Sequence, residues 1–392
     1  MRNVVVASAV RTAIGTFGGT LKDVPSIDLM GMVVREAVER SGVPPEFVGD
    51  VIIGQCMQRM DESPSGRLAA LKAGLPIAVP GLTIHRNCAS GMQSVIYGAQ
   101  QIMLGDMDVV VAGGVEVMSR VPYVLKDARW GKRLQHGVMS DGIWDGLTDP
   151  YCGLIMGLTA ENLAEKYAIS REEQDEIAMR SHNNAEAATN AGKFKEEIMP
   201  VEIPQRKGDP LVFDRDEHVR LGMTMDQLVK LRPSFKPDGT VTAGNASGIN
   251  DAAAALVLVA EEKAESLGVT PIARLKGYGT AAVEPELMGY GPVPATQQAL
   301  LRTELKLDDI DLIELNEAFA AQYLACEKLL KLNRDITNVN GSGIALGHPV
   351  GCTGARIIVS LLHEMKRRGN SLGLATLCVG GGMGQASIWE MC

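Results

Sequence analysis

A chain of 392 residues, 46% of them hydrophobic, is too long for one compact core and carries enough apolar material for two or three lobes. A formal charge of −9 without any dense Lys/Arg block argues against nucleic acid or an anionic membrane surface as the main partner, while an anionic small ligand in one pocket stays open. No apolar run approaches the roughly 20 residues of a spanning helix, the N-terminus lacks the form of a signal peptide, and the seven cysteines (56, 88, 152, 326, 352, 378, 392) show neither CxxC pairs nor metal spacing with the histidines. The expectation is a reducing cytoplasm with no structural disulfide or metal.

In chain order, the first stretch predicts a strand over 3–9, a helix over 26–42 from an N-cap at Ser26 to Gly42, and a strand over 49–54. A helix over 65–73, a strand over 81–86, a helix over 90–104 and a strand over 107–112 that closes on Gly113-Gly114 follow. Continuous apolar strands alternating with helices mark a sheet covered on both faces. Between 118 and 248 the pattern changes to loops rich in Gly, Asp and Pro around helices over 157–168 and 171–192. Ser170 and Glu173 form a capping box, and the run 206–210 reads as a solvated turn. This segment predicts a loop domain that covers a site rather than building a core.

The last third repeats the first. It predicts strands over 272–278, 310–315, 336–339 and 373–379 and helices over 294–305, 317–331 and 351–367. Residues 50–54 answer 311–315, and the helix after Cys88 answers the one after His348, so an internal duplication is the economical explanation. The predicted fold class is α/β, two duplicated βαβ lobes at 1–117 and 249–392 with a loop domain at 118–248. Two such lobes can bring Cys88, His348 and Cys378 to one pseudo-symmetric centre.

Cys88 lies where an extended segment becomes a helix, and unpaired N–H groups there favour a thiolate. His348, fixed between Gly347 and Pro349, could take its proton. Cys378 ends a strand before Gly380, Gly381 and Gly382, whose N–H groups could bind an oxyanion. Its thiol could be a resolving cysteine or a general acid/base at carbon. Asn316 is either a helix N-cap or an amide that orients a water, and Glu317 a first-turn acid in support. His85 reads as a packing histidine, and of the remaining cysteines only Cys352 falls near the chemistry.

Six motifs together resemble the thiolase family, and within it the acetyl-CoA acetyltransferase type. They are Asn-Cys-Ala-Ser-Gly-Met at 87–92, Thr-Ala-Gly-Asn-Ala-Ser-Gly at 242–248, Met-Gly-Tyr-Gly-Pro at 288–292, Asn-Glu-Ala-Phe-Ala-Ala-Gln at 316–322, Gly-His-Pro-Val-Gly-Cys-Thr-Gly-Ala-Arg at 347–356 and Cys-Val-Gly-Gly-Gly-Met-Gly at 378–384. The similarity runs from about residue 3 to the C-terminus. It implies a five-layer fold, a homotetramer or dimer, and acetyl-CoA with acyl-CoA or 3-ketoacyl-CoA as substrates, without a metal or redox cofactor. It further implies that Cys88 takes the acyl group with help from His348 and that Cys378 deprotonates C2 of acetyl-CoA. One oxyanion site would use His348 and a water held by Asn316, the other the N–H groups of Cys88 and Gly380. Ser247 would contact pantetheine, with Phe235, Ala243, Met288, Ala318 and Phe319 lining the tunnel and Arg220 near the nucleotide.

The chain departs from the biosynthetic pattern at Ile155-Met156-Gly157, where those enzymes carry His-Met-Gly, and at His85-Arg86 before the nucleophile. The form Met-Gly-Leu-Thr-Ala-Glu resembles broad-chain degradative 3-ketoacyl-CoA thiolases, and Asp-Gly-Leu-Thr-Asp at 145–149 the acetyltransferases. A decarboxylating ketosynthase would carry a second histidine where Cys378 stands. A catalytically idle acyl-CoA-binding protein would need none of Cys88, His348, Cys378 and Asn316.

Overall fold

The computed structural model describes residues 1–392. Its main sheet runs in the order Leu312–Leu315, Leu372–Val379, Met383–Met391, Ala273–Ala282, Val4–Thr12, Asn250–Ala260, Val109–Val117, Asp50–Gly54 and Gly81–Ile84. On the two sides of the junction between Val4–Thr12 and Ala273–Ala282 the strand orders mirror each other, except that Gly81–Ile84 has no counterpart strand in the C-terminal half. In each half an outer parallel pair (Asp50–Gly54 with Val109–Val117, Leu312–Leu315 with Leu372–Val379) leads inward to antiparallel neighbours. Within the sheet, the two halves meet at the pairs Val5 with Arg274 and Val6 with Ala273. The duplication inferred from sequence is thus visible as topology.

Helices Ser90–Leu104 and Val350–Arg368 pack on each other between the halves, the first against strands of the N-terminal half and the second against strands of both. Ser26–Ser41 and Ser65–Ala73 cover the outside of the N-terminal half, and Pro292–Thr303 the outside of the C-terminal half. The result is five layers. Glycines let the central helices meet backbone to backbone: a Cβ on Gly91 would come 2.8 Å from the Ala355 nitrogen, and one on Gly354 2.5 Å from the Met92 nitrogen. That contact sets the spacing of whatever the two helix starts carry.

Several boundaries differ from expectation for local reasons. Helices Ser65–Ala73 and Ser90–Leu104 match, and Gly42 closes the first helix at φ 70. Pro25 rather than Ser26 stands at its N-cap, because the Ser26 N–H and hydroxyl are both donated to the buried Glu62 carboxylate. The strand expected to close at Gly113-Gly114 continues to Val117, and a side chain at Gly113 would overlap the Ala254 carbonyl of its partner strand. Residues 336–339 are not a strand but one bridge between Thr337 and Ile313, since Asn338 turns the chain at φ 50. The 317–331 helix begins only at Ala320, with Phe319 and not Asn316 at its cap.

The strand Asn250–Ala260, at the start of the expected last lobe, pairs with Val4–Thr12 and Val109–Val117 of the first. The 118–248 segment builds core as well as covering. Ala160, Leu163, Ala164, Ile177 and Ala178, from the helices Met156–Lys166 and Arg171–Asn190, are buried in the second hydrophobic cluster beside Leu315, Phe319 and Cys378. The capping box of Ser170 and Glu173 forms as expected. No helix is long and apolar enough to cross a membrane.

Candidate active site

The turn that carries Cys88 is built by local constraints. Asn87 adopts φ 43, a left-handed conformation that asparagine tolerates, and Ala89 and Ser90 donate their N–H groups back to Arg86 and Asn87. The Ser90 hydroxyl donates to the Asn87 carbonyl and accepts from the Arg86 N–H. Ser90 opens the central helix, so Cys88 lies just ahead of it and Ala89 takes the cap. Across the interface, the Asn87 side-chain amide donates to the Gly380 carbonyl at 2.7 Å. This ties the Cys88 turn to the glycine turn after Cys378, where Gly381 and Gly382 take positive φ.

His348 is fixed by its backbone and by one ring nitrogen. Its N–H donates to Asn250 Oδ1 at 3.0 Å, and Gly347, at φ 107, leaves room for that asparagine. Its Nδ1 lies 2.7 Å from Thr353 Oγ1, whose own proton goes to the Pro349 carbonyl at 3.0 Å. Thr353 therefore accepts from Nδ1–H, which leaves Nε2 with a free lone pair and no partner within the protein. Asn316 lies alongside, its Nδ2 3.4 Å from His348 Nδ1 and its buried Oδ1 unpartnered.

These arms meet in a cavity of about 370 Å3 lined by Cys88, His348 and Cys378 together with Ser247, Phe235, Ala243, Met288, Ala318 and Phe319. Phe235 and Phe319 stack edge to face at 6.3 Å, and Ser247 is held by its N–H on the Ala318 carbonyl. Gly380 lines an adjoining chamber of about 660 Å3 that shares Cys88, Leu147, Met156 and Val350 with the first. Arg220 does not line the cavity. Its side chain is exposed and its backbone N–H is donated to His182 Nδ1.

The electrostatics run against the helix-end effect expected at Cys88. Desolvation pushes the Cys88 thiol up to about 11, although the residue is only half-buried by surface; the N–H groups of Gly380 and of Cys88 itself pull the other way, and Glu116 adds to the rise. The Ala89 cap leaves the helix end one residue away, too weak to offset the loss of water. Burial likewise drives Cys378 well above the ordinary thiol range, reinforced by Cys88. His348 falls to about 3 through burial and then the Arg356 charge. Burial thus works toward the neutral form of all three groups.

Glu317 is not a helix-end acid. It is fully buried, accepting from Ser181 Oγ at 2.5 Å and Asn338 Nδ2 at 2.8 Å, so it locks the Asn316 turn to the Arg171–Asn190 helix. His85 is exposed at the adjoining chamber rather than packed. Sequence reasoning missed Asn87, Asn250, Thr353 and Glu116. Asn87 and Thr353 sit within five residues of Cys88 and His348, so proximity was the available signal; Asn250 and Glu116 gave none, because their partners are distant in sequence.

Family models for the thiolase N-terminal domain and the thiolase C-terminal domain match residues 4–262 and 269–391. The acetyl-CoA acetyltransferase of Cupriavidus necator is 52% identical over 391 residues, covering 100% of each chain. A crystal structure of the Bacillus anthracis acetyl-CoA acetyltransferase superimposes with a TM-score of 0.99 at 55% identity, covering 100% of this chain and 99% of that one. Human mitochondrial 3-ketoacyl-CoA thiolase in complex with CoA does so with a TM-score of 0.96 at 44% identity, covering 100% and 98%. With its two domain matches spanning almost every residue and its relatives aligned end to end, the chain belongs to the thiolase family.

Proposed function

We propose that this thiolase moves an acyl group reversibly between acyl-CoA and acetyl-CoA through a thioester on Cys88, joining two acetyl-CoA into acetoacetyl-CoA and CoA, or cleaving 3-ketoacyl-CoA in reverse. One observation carries this reading: two thiols and an imidazole with a free lone pair, drawn from both halves of the chain, line a single cavity.

In the first half-reaction the Cys88 sulfur attacks the thioester carbonyl while its proton passes to His348 Nε2. The carbon–sulfur bond to CoA breaks, and Cys378 protonates the departing sulfur. Cys378 is left as a thiolate opposite an imidazolium, a pair stabilised by mutual attraction where water is excluded. In the second half-reaction that thiolate takes a proton from C2 of acetyl-CoA. The carbanion attacks the acyl carbonyl, Cys88 departs, and His348 returns its proton. The N–H groups of Cys88 and Gly380 fit the oxyanion formed on the Cys88 acyl group. Asn316 and His348 fit the enolate oxygen, Asn316 through a water. Ser247, Phe235, Ala243, Met288, Ala318 and Phe319 would hold pantetheine, with Arg220 at the nucleotide end. No metal or redox cofactor enters these steps.

A broad-chain degradative reading has its own support. The adjoining chamber opens beside Cys88 and is lined by Met57, Leu147, Met156, Val350 and Met383, apolar and flexible enough to take an acyl chain. Thiolysis rates with free CoA on 3-ketoacyl-CoA of increasing length decide between them. Activity confined to the four-carbon substrate identifies an acetyl-CoA acetyltransferase, a flat or rising profile the degradative type. No turnover at any length would leave the idle acyl-CoA binder.

We also infer a homotetramer in the cytoplasm. The strand Gly81–Ile84 ends the sheet with an open edge, and Leu82, Tyr97 and Leu104 are exposed beside it, which suits pairing with a second copy. The hairpin of Tyr123–Leu125 and Met139–Asp141 exposes Tyr123, Leu125, Trp130 and Leu134, an apolar arm suited to joining dimers. Light scattering is expected to give the mass of four chains; a dimer would restrict association to the sheet edge, and a monomer would overturn both contacts. Seven unpaired cysteines support a reducing compartment.

A further inference from the structure

One buried carboxylate lies between the two arms of the site and takes no part in the steps above. Glu116, near the end of the strand Val109–Val117, is 1% exposed. Its Oε2 accepts the N–H groups of Cys56 and Gly351, each at 2.9 Å, and its Oε1 that of Met57 at 3.1 Å. Cys56 and Met57 form the turn after the strand Asp50–Gly54, which borders the nucleophile turn: Gln55 donates its N–H to the Ile84 carbonyl, and Cys56 Sγ lies 3.9 Å from Asn87 Oδ1. Gly351 belongs to the first turn of Val350–Arg368, directly after His348 and Pro349, and a Cβ there would stand 2.6 Å from the carboxylate. Three backbone donors, from the surroundings of Cys88 and from the chain that carries His348, therefore converge on one side chain supplied by a third element.

We propose that Glu116 is a positioning residue for acyl transfer, holding the Cys88 and His348 arms at the spacing that lets the proton pass between them. Nothing else of comparable burial bonds to both arms at once. Carboxylate bonds to backbone N–H groups are short and directional, and the helix N-terminus adds to the pull on the negative charge. Burial raises the carboxyl to about 7 even against its three N–H bonds, so the charge is fully present only above that pH. The titratable groups facing it are Cys56, Cys88, Cys352 and Asp251, and its charge disfavours each neighbouring thiolate. The proposal rests on the reading that Cys88 and His348 act on one substrate.

The test replaces Glu116 by Gln in the full-length enzyme. The Gln oxygen keeps the Cys56 and Gly351 bonds, while its NH2 faces the Met57 N–H, donor against donor. The expected result is a kcat per titrated Cys88 site lower by about ten- to a hundredfold with KM within twofold, because misplacement of reacting groups acts on the chemical step. Removing the negative charge also favours the thiolate. The pH midpoint of Cys88 alkylation by iodoacetamide should therefore fall by about half a unit or more, with wild type and variant diverging above pH 7. A purely structural Glu116 would lower thermal stability and the fraction of titratable sites but leave kcat per site unchanged, which overturns the proposal; the midpoint shift reports only that the charge near Cys88 is gone. Should Glu116→Gln not fold, Glu116→Asp serves: it keeps the charge and loses reach, so kcat per site should fall while the midpoint stays high, and an unchanged kcat overturns the idea. Wild-type turnover beside an inert Cys88→Ser is measured first, so failure of the acyl-transfer reading is distinguishable from failure of this one.

Discussion

Replacing Cys378 with serine is expected to stop carbon–carbon bond formation while leaving acylation of Cys88 measurable, whereas Cys88→Ser stops both. The asymmetry follows from what each step asks of the second thiol. A departing CoA sulfur is a thiolate whose conjugate acid lies near the ordinary thiol pKa of about 8.5, so at neutral pH it can leave without an acid, only more slowly. Removing a proton from C2 of acetyl-CoA has no such fallback. A serine hydroxyl preserves shape but ionises far less readily than a thiol, and in a pocket that already drives Cys378 upward through burial it stays protonated. The loss of condensation should be about 10^3- to 10^4-fold, the upper range for one acid–base group. Loss of the nucleophile itself should reach about 10^4-fold or more. Exchange of the C2 protons of acetyl-CoA in deuterated water, followed by NMR, isolates the base. The mass of the quenched enzyme isolates acylation. Wild-type exchange in Cys378→Ser would show that another group is the base, and Cys88, Asp141 and His348 are the other titratable side chains that line the cavity.

The elements legible in the sequence were those whose signal is local. Helix Ser26–Ser41 has Gly42 to stop it, and Arg171–Asn190 has its capping box. Cys88, His348 and Cys378 each sit among residues that reshape the backbone, and so they stood out. Their shared cavity is a consequence of the duplication, which brings the two helix starts together. Elements fixed by distant partners did not stand out. The strand Met383–Met391 begins in a glycine-rich run that looks like a loop until Leu372–Val379 and Ala273–Ala282 pair on both its edges. Glu116 carries no sequence signal, because its three donors lie about 60 and 235 positions away. The desolvation of Cys88 is illegible in the sequence for the same reason. Helix-end stabilisation is readable from order along the chain, but desolvation depends on everything folded around the sulfur.

Substituting Gly114 by alanine, the smallest possible change, is expected to destabilise the protein by about 3 kcal/mol or more, at or above the usual range for overpacking. The obstacles are all backbone. A Cβ at this position would overlap the Gly351 carbonyl oxygen and stand 2.9 Å from Gly91 Cα and 3.1 Å from Cys352 Cα. A flexible side chain could swing aside, but these atoms belong to the first turns of both central helices, so relief requires a helix to move. Such a shift would separate the start of Ser90–Leu104, next to Cys88, from the start of Val350–Arg368, next to His348. Activity of the folded fraction should therefore fall along with stability. Gly137, with open space around it in the exposed hairpin, is the control: Gly137→Ala should leave both unchanged. For a chain of several lobes the half-life of activity at fixed temperature is the appropriate measure of stability. If Gly114→Ala matched Gly137→Ala in half-life and in kcat, the two helix starts would not be held at contact distance, and the spacing of Cys88 and His348 would need another cause.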